Sequence, residues 1–74
     1  MTGNQVIVVV PVEGGWSVQC SMTGQSLFFL SGAKAEENAR KLGACIAELG
    51  QDVRVMIHAR DSALVGSRTY FAPS

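Results

Sequence analysis

The first thirty residues contain three short runs of strand-forming residues. Residues 6–10 are five consecutive β-branched residues that end at Pro11, and a continuous apolar run is typical of a strand buried on both faces. Residues 16–20 alternate apolar and polar side chains, which is the pattern of a strand with one solvated face. Residues 26–30 form a third, mostly apolar run. Glycine-containing turns separate the three runs and predict hairpins between them.

A helix is predicted over residues 33–49, because apolar side chains recur there every three or four positions and form one stripe. Ser31 or Gly32 can serve as the N-cap, and Gly50 stands where a left-handed residue ends a helix. Two acid-before-base pairs, Glu36–Arg40 and Glu37–Lys41, lie four residues apart on the outer surface. The apolar stripe consists of Ala35, Ala39, Leu42, Ile46 and Leu49.

The last third of the chain predicts a second hairpin. Residues 52–58 alternate as a strand, residues 61–63 turn the chain, and residues 64–71 can return as a weaker strand. The order β-β-β-α-β-β predicts an α+β fold of two layers: an antiparallel sheet of four or five strands with one helix packed on one face. The chain is short enough that residues 1–74 are expected to form a single domain.

A single helix covers one face of a sheet, yet the first and third strand runs are apolar on both faces. We therefore expect an apolar stripe on the uncovered face, and such patches mark interaction surfaces. Pairing with a second copy is the favoured interpretation. In the alternative, a C-terminal segment containing Leu64, Val65, Tyr70 and Phe71 folds over the stripe. The predicted lining of the interface is Ile7, Val9, Phe28, Leu30 and Met56.

The charge balance argues against a nucleic-acid binder. Six basic and six acidic residues give a formal charge of zero, whereas contact with phosphates usually requires a positive excess. A nucleic-acid contact domain stays open as the alternative, because several basic and aromatic residues fall in the C-terminal hairpin and could form one polar patch. These residues are Arg54, His58, Arg60, Arg68 and Tyr70.

The sequence contains no recognisable catalytic or metal-binding pattern. His58 is the only histidine, and Asp61, three residues later, is expected to cap the turn and not to pair with it. Cys20 and Cys45 are expected to be inert thiols, and Trp16 is expected to pack in the core. We therefore predict no catalytic residue, no metal and no cofactor.

The N-terminal sequence has no basic segment followed by a long apolar run, and no stretch of about 18 apolar residues occurs. Two cysteines are too few for a disulfide scaffold. The expected location is therefore the cytoplasm, without membrane contact.

Three motifs together resemble a known family. They are Gly-Trp-Ser-Val at residues 15–18, the alanine-rich helix before Gly50, and the strand and turn at residues 55–61, followed by Arg-Thr-Tyr at 68–70. In these features the chain is similar to short bacterial proteins classed as the domain of unknown function numbered 2188. The resemblance implies a small α+β fold. It implies no activity, because that family has no established one, and no site residue is carried over.

These observations together predict a small non-catalytic binding or assembly module. We expect it to form a homodimer and to interact with a larger protein whose identity the sequence does not name.

Overall fold

A computed structural model describes residues 4–61 and 63–73 of the chain. It contains the predicted α+β architecture of one helix and one five-stranded sheet. Ser62, which was expected to take part in a turn, lies outside the described residues. In chain order the elements are β1 (Asn4–Val12), β2 (Gly15–Cys20), β3 (Gln25–Phe29), α1 (Gly32–Glu48), β4 (Asp52–His58) and β5 (Leu64–Tyr70).

The strands lie side by side in the order β3-β2-β1-β4-β5. The sheet is mostly antiparallel, as expected, but β1 and β4 run parallel. This one parallel pair follows from the helix, which crosses the sheet after β3 and returns the chain to the end where β1 began. Because β4 then pairs with β1 at the centre, β3 and β5 become the two edge strands.

Both ends of α1 have the local structure that the sequence predicted. The Ser31 Oγ accepts a hydrogen bond from the backbone N–H of Lys34 at 3.3 Å, which satisfies one of the free donors of the first turn. At the other end Gly50 has a φ of 100°. Its N–H donates to the Ala47 carbonyl and the N–H of Gln51 donates to the Ile46 carbonyl. This pair of bonds is the Schellman motif, which closes helices with a left-handed glycine.

The core lies between α1 and one face of the sheet. The helix contributes small residues to this core, since Ala35 and Ala39 are fully buried. Such small side chains allow the helix backbone to approach the strands closely. Tyr70 of β5 packs against Gly43, where an added Cβ would be 3.0 Å from the tyrosine ring. The largest fully buried side chains all come from the sheet: Ile7, Val9, Val18, Val53 and Val55.

The predicted facing of β1 was wrong. Ile7 and Val9, expected on the uncovered face, are 0% and 1% exposed and belong to the core under the helix. They pair with Cys20 and Val18 of β2, whose side chains point to the helix. Because both rows of β1 are apolar, the hydrophobic pattern of that strand alone does not determine which row faces inward.

Gly15 allows β2 and β3 to pack closely at the start of their ladder. A Cβ added there would overlap the Phe29 carbonyl oxygen and the ring of Phe28. The Phe28 ring therefore lies over a stretch of backbone that has no side chain of its own. Gly66, in β5, differs because an added Cβ would meet only Ile57 at ordinary contact distances of 3.8 and 3.9 Å.

We expect Gly15→Ala to lower the free energy of unfolding by about 2 kcal/mol, the usual cost of forcing extra atoms into a packed site. Gly66→Ala is the matched control and should change stability by less than about 1 kcal/mol, in the stabilising direction. Urea unfolding followed by the fluorescence of Trp16 measures both. Equal midpoints for the two variants would contradict the close packing at Gly15.

Candidate functional site

The candidate site is the sheet face that points away from α1, here called the open face. Its centre is a row of three β1 side chains, Val6, Val8 and Val10, here called the valine row. All three are partly exposed, whereas the intervening Ile7 and Val9 are buried. No other element covers the valine row in the part of the chain that the structure describes.

Two of the predicted interface residues lie on the open face. Met56 of β4 is the ladder partner of Val8 and is partly exposed. Phe28 of β3 pairs with Ser17, the β2 residue opposite Val10, and is 57% exposed. Leu30 is 82% exposed, but it follows the last residue of β3 and is not part of the sheet. The face therefore has the apolar character that was predicted, with the valine row in place of Ile7 and Val9.

The C-terminal segment does not fold over the open face. Leu64 and Val65 form the start of β5 and are 55% and 63% exposed, and Phe71 is 74% exposed. Tyr70 packs on the helix side, next to Gly43. The alternative in which these residues cover the apolar stripe is therefore not realised in the described part of the chain.

Two shallow grooves lie beside the valine row and share Val6 in their lining. One has a volume of about 400 Å³ and lies toward β5, between Arg54, Thr69 and Phe71. The other has a volume of about 270 Å³ and lies toward β3, bordered by Gln19 and Ser26. The two grooves therefore lie around the Val6 end of the valine row, and Val10 lines neither of them.

Charge is distributed unequally between the two sides of the molecule. β1, β2 and β3 contain no charged residue. The charged residues of the helix form its outer surface, where Glu36 contacts Arg40 and Glu37 lies 3.6 Å from Lys41. Both predicted ion pairs are therefore present. Depletion of charge around an apolar centre is the compositional mark of a protein interface. The β1–β3 part of the open face shows this depletion, whereas β4 adds Arg54 opposite Val6.

The predicted polar patch does not form. By their ladder positions Arg54 and His58 belong to the open face. Arg68 and Tyr70 lie on the helix side, where the guanidinium of Arg68 is 5.1 Å from the centre of the Tyr70 ring. The five residues are thus divided between opposite sides of the sheet.

Arg60 occupies a third location, at the end of the sheet near the start of the helix. Its guanidinium is 4.8 Å from the centre of the Trp16 ring and donates to the Val12 carbonyl at 2.9 Å. Trp16 also lies close to Gly32, where an added Cβ would be 3.0 Å from the indole. Trp16 also packs against the core cluster, which confirms the core role expected for it. This contact of Arg60 with Trp16 was not anticipated from sequence.

His58 and Asp61 do not form a catalytic pair. The Nδ1 of His58 is 3.3 Å from the Val9 carbonyl oxygen, and the Asp61 carboxylate accepts a hydrogen bond from the Ala63 N–H at 3.0 Å. The turn-capping role expected for Asp61 is therefore confirmed. Cys20 is buried and Cys45 is exposed, and both are free thiols. Among the described residues no group of three or more His, Cys, Asp or Glu side chains is arranged to hold a metal ion.

Comparison with protein-family models, with curated proteins and with solved structures gives no match to this chain. The resemblance to the family numbered 2188 therefore stays a prediction. Within the described residues no helix is both long enough and apolar enough to cross a membrane.

Because the arginines of the C-terminal hairpin are dispersed, we expect no electrostatic binding of single-stranded RNA or duplex DNA. Fluorescence anisotropy with labelled oligonucleotides at low and moderate salt measures this. Binding that weakens steeply with added salt, and that is lost in both Arg60→Gln and Arg68→Gln, would contradict the expectation and support the nucleic-acid alternative.

Proposed function

We propose that this chain is a non-catalytic assembly module that pairs with a second copy through its open face. The observation that carries the proposal is the valine row, a central apolar strand side that is partly exposed and uncovered in the described chain. Its neighbours toward β3 are neutral and include Gln19 and Ser26, and on the β4 side Arg54 lies opposite Val6 at the edge of the apolar centre. An apolar centre with a polar rim is the usual composition of an interface between proteins.

The size of the open face supports a dimer. Five strands spaced about 4.8 Å apart and roughly six residues long cover about 24 by 20 Å, or about 500 Å² in projection. Side-chain relief increases the accessible area, which brings it toward the roughly 800 Å² per partner of a specific interface. One open face is therefore close in size to what a second, identical face requires.

A two-fold axis through the valine row satisfies the chemistry of both copies. Such a contact places the same apolar patch on each side, and two sheets packed face to face stand about 10 Å apart with their side chains interleaved. The two helices, with their charged outer surfaces, remain in water. The resulting four-layer arrangement, helix-sheet-sheet-helix, shields the apolar area that one helix leaves uncovered.

A larger protein partner would use the same open face, in competition with the second copy. Both cysteines are free thiols, which is the state that the cytoplasm maintains, and this favours the cytoplasm as the place of assembly.

We expect Val8→Lys to abolish dimer formation in the low micromolar range, because it places two ammonium groups in the centre of a desolvated contact. The lysine stem can lie over the exposed sheet surface of the monomer, so the fold should be retained. Sedimentation velocity over a range of concentrations measures the association, and far-ultraviolet circular dichroism checks the fold.

Ala44→Lys is the matched control, because Ala44 is exposed on the helix and lies outside the open face. This variant should dimerise like the unmodified chain. A monomeric unmodified chain at high micromolar concentration, or equal association of the two variants, would overturn the proposal.

A further inference from the structure

The two edges of the sheet differ in how they are protected. An edge strand presents unpaired N–H and C=O groups and can accept a further strand, so proteins usually blunt such edges with charges, prolines or bulges. β5 has all three protective features. Its pairing with β4 shifts register between Ile57 and His58, the strand contains Arg68, and Pro73 follows the strand. Addition of a strand to this edge is therefore disfavoured.

β3 has none of these features. It pairs with β2 without interruption from Gln25 to Phe29, and it contains no charged residue and no proline. Its side chains are unusually open for an apolar strand, since Leu27 is 45% and Phe28 is 57% exposed. The Phe28 ring is held over the backbone at Gly15. The outer side of β3 is thus a regular, apolar and partly pre-ordered edge.

The absence of charge extends well beyond β3. No charged residue occurs between Glu13 and Lys34. When two copies of one strand pair antiparallel about a two-fold axis, the residue at the axis lies opposite the same residue of the second copy. A charged residue near the axis would therefore face a like charge, which is destabilising. β3 and the turns beside it are free of that penalty. The charge pattern therefore favours a second copy as the occupant of this edge.

We propose that β3 pairs antiparallel with β3 of a second copy, with the two-fold axis near Leu27, so that two sheets become one continuous ten-stranded sheet. Leu27 is the central residue of the strand. The backbone groups of the edge then gain hydrogen-bond partners. Leu27 of one copy lies opposite Leu27 of the other, and on the opposite face of the sheet the two Phe28 rings approach diagonally. This edge contact is separate from the contact between open faces and does not depend on it.

The area available makes the edge contact weak. An aromatic side chain presents on the order of 150–250 Å² and a leucine somewhat less, so the exposed fractions of Leu27 and Phe28 amount to roughly 200 Å² per copy. The total for two copies lies below the roughly 1,200 Å² of a standard stable interface. We therefore expect edge pairing at high micromolar to millimolar concentration, above the range in which the open faces pair.

Amide hydrogen exchange followed by NMR at low and high protein concentration tests the proposal residue by residue. The outward N–H groups of β3 should exchange at least several-fold more slowly at high concentration, because they acquire carbonyl partners. The outward N–H groups of β5 are the internal control and should be unchanged. Packing of open faces adds no backbone hydrogen bonds at either edge, so the result does not depend on the proposed dimer. Protection at β5 alone, or at neither edge, overturns edge pairing.

A charge-swap experiment tests the symmetry of the contact. Leu27→Lys and Leu27→Glu should each lose the concentration-dependent protection of β3, because identical charges face one another across the axis. An equimolar mixture of the two variants should regain it. Val65→Lys, on the exposed start of β5, is the matched control and should behave like the unmodified chain. Failure of the mixture to regain protection overturns the pairing about Leu27. If Leu27→Lys still forms dimers at low micromolar concentration, those dimers form through the open face and do not bear on edge pairing.

Discussion

The structure depends on the packing of a single helix on only one of the two faces of its sheet. The helix is also narrower than that face, because a helix with its side chains is about 10 Å across and a five-stranded sheet about 24 Å across. The single helix α1 lies over one side of the sheet and buries the row that contains Ile7, Val9, Val53 and Val55. The chain has no second element for the other side in its described part. Every candidate contact of this protein follows from that geometry: an open face with an apolar centre, and two edges that the helix does not protect.

The helix was predictable because several independent local signals agreed. The periodic stripe, the Ser31 cap and Gly50 each favour the same boundaries, and the observed helix, Gly32–Glu48, differs from the predicted range by one residue at each end. The strands were also predictable as elements, since β-branched runs and glycine turns mark them. The adjacency of β1 and β4 was not, because a parallel pair depends on where the crossover returns the chain, and no local pattern encodes that.

The facing of β1 could have been predicted from the first hairpin. Val12 pairs with Gly15, so the connection has two residues, Glu13 and Gly14, and Gly14 has a φ of 80°. Two-residue hairpins fix the register of both strands, which places Ile7 opposite Cys20 and Val9 opposite Val18. A glycine-containing turn between the two strand runs, without its length, leaves that register open. The dispersal of the C-terminal arginines has a different origin, since alternate residues of one strand point to opposite sides of the sheet.

The sheet bears the uncharged apolar surface and the helix bears charge, since charged residues lie on the outer helical surface and the first three strands have none. We propose that the valine row meets solvent in the monomer and a second copy in the dimer. Methyl relaxation by a soluble paramagnetic probe tests this most directly. We predict strong relaxation of the Val8 and Val10 methyl groups in dilute protein, protection of the same groups as concentration rises, and no relaxation of Ile7 or Val9 at any concentration. Equal relaxation of both rows, or no concentration-dependent protection of Val8 and Val10, would contradict the proposed pairing of open faces.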